Sequence, residues 1–184
     1  MPLLRNLVPL LFLLLTGCIT SPPPVASRGE PSTARALLVA RAERGPVPMV
    51  LEGRPADLSA ERLAETAAEG VRGVDVVFVP RPMPPEKGAY LLVILHGREG
   101  GLPAGLCRDP RAPTTGLAEH IAAAWCEEGR TVAAVDVAAE EPTAAAVERA
   151  LRRAMAALFP DNYGETYGLD LFGLRLRIGG TFGF

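Results

Sequence analysis

Tyr90-Leu91-Leu92-Val93-Ile94-Leu95-His96-Gly97 is the stretch that decides the fold. Tyr90 to Leu95 is an unbroken apolar run of strand length. Such a run reads as a strand covered on both faces, which places it near the centre of a sheet. Gly97 turns the chain sharply at its end and opens a long Gly/Pro-rich loop to Thr115, with Cys107 inside it. Loops of that length are usually functional or held down by a staple.

Upstream, Arg81-Pro82-Met83-Pro84-Pro85 forces a loop, and the β-branched run Val74 to Val79 before it reads as a strand. A helix begins at Leu58-Ser59-Ala60, with Ser59 as cap and Leu58 and Leu63 placed to staple across it, and Gly70 closes it. Pro48 to Glu52 reads as a strand. Thr33 to Arg44 is open between a short helix and a first strand. Downstream, Leu117 to Glu128 is predicted as a helix, with Leu117, Ile121, Ala124 and Trp125 on one stripe and Gly129 as stop. Thr131 to Val137 is a strand. Thr143 to Phe159 is a helix whose inner face is Val147, Leu151, Ala154, Met155 and Leu158, with Glu148 and Arg152 paired outside. Leu174 to Ile178 alternates like a final strand with one wet face. The expected order is β-α-β-β-α-β-α-β, an α/β (α+β) mixed sheet with helices packed on it. Its first six elements have the order of a split βαβ, ferredoxin-like core.

The front of the chain carries a different message. Met1 to Asn6 holds one charge, Arg5, and Leu7 to Leu15 is almost wholly apolar. That is a signal-peptide pattern, too short to cross a bilayer core of about 30 Å as a helix. The run ends in Leu15-Thr16-Gly17-Cys18, which resembles the lipobox of bacterial prolipoproteins. The resemblance covers the first eighteen positions and implies cleavage before Cys18, a lipid thioether and an acylated (palmitate-type) amine. Ile19 is not the Asp that retains such proteins at the inner membrane, so the resemblance favours the outer membrane, facing the periplasm. The expected division is a signal peptide over 1–17, a lipidated and Pro-rich tether over 18–32, and one globular domain over 33–184. Proline-rich tethers are stiff and extended.

Export bears on the other two cysteines. Cys107 and Cys126 are an even pair in an oxidising compartment and are expected to bridge. Two buried free thiols, or a metal site, are the alternatives. Without a CxxC or HxxxH companion they make poor zinc ligands, and no metal or cofactor is expected.

Composition excludes more than it assigns. The chain has 184 residues, a net charge of -2 and 5% aromatics, with Arg and Glu interspersed. It shows no basic field for nucleic acid. Leu91 to Gly101, with His96, Arg98 and the following glycines, resembles the strand and oxyanion loop of α/β-hydrolases. That mechanism needs a G-x-S-x-G elbow and a later histidine. Ser21, Ser27, Ser32 and Ser59 all lie upstream of the strand, so the hydrolase reading fails and no catalytic residue is assigned. Asp136, inside an apolar strand, is expected to be satisfied structurally.

Two further resemblances bear on partners. Arg177-Ile178-Gly179-Gly180-Thr181-Phe182-Gly183-Phe184 is similar to the C-terminal signal of outer-membrane β-barrel proteins, which implies a girdle strand using Phe182 and Phe184. Leu106-Cys107, Ala123-Ala124-Trp125-Cys126 and Leu158-Phe159-Pro160 resemble a pattern in uncharacterised proteobacterial lipoproteins, and this covers only the second half. The expectation is a non-enzymatic accessory lipoprotein that meets an envelope protein through residues such as His96, Arg98, Phe182 and Phe184. The alternative is a subunit of an oligomeric outer-membrane pore.

Overall fold

The structure is a computed structural model that describes residues 25–53, 57–97, 102, 105–108, 119–161, 168–171 and 174–177. Its strands are β1 (Val25–Gly29), β2 (Val47–Glu52), β3 (Phe78–Arg81), β4 (Ala89–His96), β5 (His120–Glu127) and β6 (Arg130–Ala138), followed by the short β7 (Gly168–Leu171) and β8 (Leu174–Arg177). The helices are α1 (Pro31–Ala42), α2 (Ala60–Gly70) and α3 (Ala144–Leu158). The first six strands form one mixed sheet in the order β1-β6-β5-β4-β2-β3. β2 is parallel to β3 and β4, whereas β4, β5, β6 and β1 pair antiparallel in turn. β2, β3, β4 and β6 therefore share one direction.

The mixed α/β architecture agrees with the sequence reading, and β4 is buried along nearly all its length near the sheet centre. All three helices pack on one face, where Leu38, Leu63 and Leu151 meet Leu91, Val93 and Trp125. The other face buries Leu92, Ile94, Ala122 and Ala134 under Leu102, Leu106 and Cys107. The strand period of two separates these sets along β4 and β5. Leu102, Leu106 and Cys107 of the long loop thus supply part of a second layer on the face opposite the helices.

Local chemistry explains several boundaries. α1 starts with Pro31, whose fixed φ and missing N–H suit the first helical turn. Ser59 caps α2 by accepting from the Arg62 N–H, and Thr143 caps α3 by accepting from that of Ala146. Pro80 sits in the edge strand β3, where its missing donor disrupts no ladder.

Several expectations are corrected. Residues 120–127 are strand β5, not the helix expected over 117–128. A continuous apolar run of that length fits a buried strand as well as a helix, and pairing with β4 and β6 on both sides decides it. Glu128 and Gly129, both at positive φ (49° and 73°), make the two-residue turn of a β5–β6 hairpin rather than a helix stop. The ferredoxin-like order is consequently absent, because an antiparallel β4-β5-β6 meander replaces the expected β-α-β. The expected strand over 74–79 lies at Phe78–Arg81. Val25–Gly29, placed in the tether on sequence, is an edge strand held by β6. Finally, β8 pairs with the unforeseen β7 in a separate two-stranded sheet.

α2 and α3 cross closely at Gly70. A Cβ there would lie 2.7 Å from Met155 Cβ and 2.9 Å from Arg152 Cα. Gly70→Ala is expected to lower the unfolding free energy by about 1–3 kcal/mol through overpacking, measurable by urea denaturation. The same two helices are joined outside by Arg62 Nε donating to Glu148 Oε1 (2.7 Å) and Arg152 Nη1 donating to Glu69 Oε2 (2.8 Å). The expected Glu148–Arg152 pair is present at 3.7 Å. Hydrogen bonds from Arg62, aided by the charges of Arg62 and Arg152, hold the Glu148 carboxyl below the usual carboxylate range against the effect of desolvation. A depressed folded pKa contributes stability above the unfolded value that is lost as pH falls through the folded one. Glu148→Gln should therefore flatten the acid side of the stability–pH curve, and an unchanged acid limb would refute this.

Candidate functional site

Sheet register brings together three polar side chains that lie far apart in the sequence. His96 ends β4 and stands directly opposite His120, the first residue of β5. Asp136, near the end of β6, pairs with Ala122 and is the diagonal neighbour of His120 on the same face. The His120 Nδ1 lies 3.3 Å from Asp136 Oδ1, and His96 Nε2 lies 3.7 Å from the same oxygen. The imidazoles stack with centroids 5.5 Å apart and an interplanar angle of 25°. His96 and Asp136 are buried at 8% and 7% exposure. These are the only two histidines of the chain.

A carboxyl group at that depth must be hydrogen-bonded or it costs stability, and the His120 imidazole supplies that bond, with His96 within ion-pair range of the same oxygen. This is the satisfied role expected for Asp136. What the sequence reading missed is the pairing of His96 with His120, because a helix over 117–128 would have carried His120 away from the sheet. The Glu128-Gly129 turn was the available signal, but Glu is rare at a left-handed position and hid it.

The chemistry open to this cluster is proton sharing between two imidazoles and a carboxyl. Among the described residues no group of three or more His, Cys, Asp or Glu is arranged to hold a metal. Nor is a serine nucleophile placed beside it among the described residues. Ser27 pairs with Val135 on the opposite face, Ser32 lies in α1 and Ser59 caps α2. Asp136→Asn keeps the volume but weakens both contacts. It should cost about 1–2 kcal/mol at neutral pH. Unchanged urea unfolding would show that the carboxyl group contributes nothing net.

The second feature of this face is the staple. Cys107 and Cys126 form the expected disulfide, with Cα atoms 5.6 Å apart. Tyr90 Oη donates to the Cys107 carbonyl (3.1 Å), and the Cys107 N–H donates to Thr131 Oγ1 (3.2 Å). Burial pushes the Tyr90 phenol upward, which keeps it a donor. A register shift between Trp125–Ala133 and Cys126–Thr131 leaves Val132 as the extra residue. That bulge turns Thr131 towards Cys107, away from the face of Ala133. Cys18, Arg98, Phe182 and Phe184 lie outside the described residues. Comparison with protein families, curated proteins and solved structures finds no match.

Proposed function

We propose that this chain is a lipid-anchored protein of the bacterial cell envelope, whose disulfide-stapled domain serves as a non-enzymatic accessory that engages another envelope component. The observation that carries the reading is the division of the three cysteines. Cys107 and Cys126 are consumed in one buried bridge, which leaves Cys18, the residue at the lipobox. A buried structural disulfide suits an oxidising compartment, and a signal peptide leads there. Several acyl chains anchor firmly where one is marginal. Among the described residues no helix is long and apolar enough to cross a membrane.

Intact mass of the mature protein expressed in a bacterial host tests the anchor. The expected species begins at Cys18, carries the lipid mass and partitions into detergent, and Cys18→Ser abolishes all three. A mature chain that starts elsewhere without lipid overturns the reading.

One observation favours a second reading, a subunit of an oligomeric outer-membrane pore. Among the described residues β7 and β8 pair in a two-stranded sheet separate from the main one, and paired strands of this kind are what a ring of subunits would lend to a barrel. The paired stretches are only four residues each, against about nine to eleven for a spanning strand. Leu174 to Phe184 reaches that length. A large heat-sensitive homo-oligomer in mild detergent, lost on deleting Arg177 to Phe184, would establish the pore. A monomer, or a monomer with one other protein, would support the accessory.

A further inference from the structure

The attachment of β1 to the sheet fixes more than a domain boundary. Val25 pairs with Val137 and Ala26 with Asp136, so β1 begins at the end of the sheet where β4 and β6 finish. β1 runs antiparallel to β6, so its first residue, Val25, stands at that same end. That end carries His96, His120 and Asp136. Cys18 lies seven residues before Val25. Seven consecutive Cα steps span at most about 25 Å, whatever their conformation.

The sheet is about as long as that tether. β5 takes seven steps from His120 to Glu127, roughly 23 Å at strand rise. For the opposite end, with its Glu128-Gly129 turn, to touch the bilayer, the tether would have to run back along the whole sheet at nearly full reach. Pro22, Pro23 and Pro24 stand immediately before Val25 and favour a stiff, extended exit. Charge gives no rival reason for the orientation. Glu52, Glu119, Glu140 and Glu141 cluster towards the near end, and Arg149 and Arg153 there are paired with Glu140.

We propose that the His96–His120–Asp136 end of the domain is its membrane-proximal end, held over the lipid headgroups by acylated Cys18, with the β5–β6 turn directed away from the bilayer. This rests on the anchor reading above.

The chain carries its own reporters, since it has two histidines, both at the near end, and one tryptophan. Trp125 lies five steps along β5 from His120, roughly 17 Å. Full-length acylated protein in phosphatidylcholine nanodiscs doped with a nitroxide-headgroup lipid is read by NMR. The two histidine ring signals are expected to broaden several-fold more than the Trp125 indole signal. Inserting a long Gly/Ser segment between Pro24 and Val25 should abolish the difference. Trp125 broadened as much as the histidines, or neither broadened while mass shows lipid on Cys18, overturns the orientation and leaves the anchor standing. No lipid on Cys18 overturns the anchor and the orientation with it.

Discussion

Exchanging Cys107 and Cys126 together for serine is expected to lower the unfolding free energy by about 3 kcal/mol, the entropy expected from closing a loop of this order. The bridge spans a sequence separation of 19 and is the covalent tie between the long loop and the sheet. The effect should exceed simple loop entropy if Leu102 and Leu106 leave the face they cover, since Leu92, Ile94 and Ala122 would then meet water. Urea unfolding of oxidised wild type against Cys107→Ser/Cys126→Ser measures it, and binding of a hydrophobic dye reports the uncovered face. A midpoint unchanged from wild type would mean that the loop holds its place without the bridge. Single substitutions are less informative, because each leaves a thiol free for exchange.

Trp125→Ala should cost still more, about 3–5 kcal/mol, which is a large part of the stability of any domain this size. Trp125 is fully buried and meets Phe159 edge-on, with centroids 5.8 Å apart at 81°. Phe159 closes α3, and its carbonyl accepts from Arg35 Nη1 of α1 at 3.1 Å. One side chain on β5 thereby fixes the end of one helix and, through it, another. Pairing Trp125→Ala with Phe159→Leu in a double-mutant cycle should give a coupling of about 0.5–1.5 kcal/mol. Additive losses would show that the two rings are merely neighbours.

Legibility in the sequence followed the strength of the local pattern. Ser59, Thr143 and Gly70 carry their reasons within a few residues, so α2 and α3 were readable almost to their ends. β4 was readable because a run as apolar as Tyr90 to Leu95 has few other fates. β5 was not, because His120 to Glu127 owes its state to partners on both sides, and Ala-rich segments suit a helix when those partners are unknown. The candidate site failed with it. The cysteine pair could be inferred from its number and the expected compartment, whereas the histidine pair exists only through the register of β4 on β5. β1 was hidden for a similar reason. Val25 to Gly29 has little strand character of its own and is ordered by β6.

That last pairing joins residues separated by 112 positions, from Val25 to Val137. Loop-closure entropy makes such a contact among the later ones to form, and under the lipoprotein reading it cannot form at all until β6 has crossed the membrane. On that reading, Val25 to Gly29 thus stay without their β6 partner while the rest of the chain is still arriving. Cys18 is open to the acylating and cleaving enzymes for that whole interval. Once β6 is in place, β1 zips onto it and withdraws most of the slack between anchor and domain. Maturation and folding then have a built-in order, written in the distance between two strands.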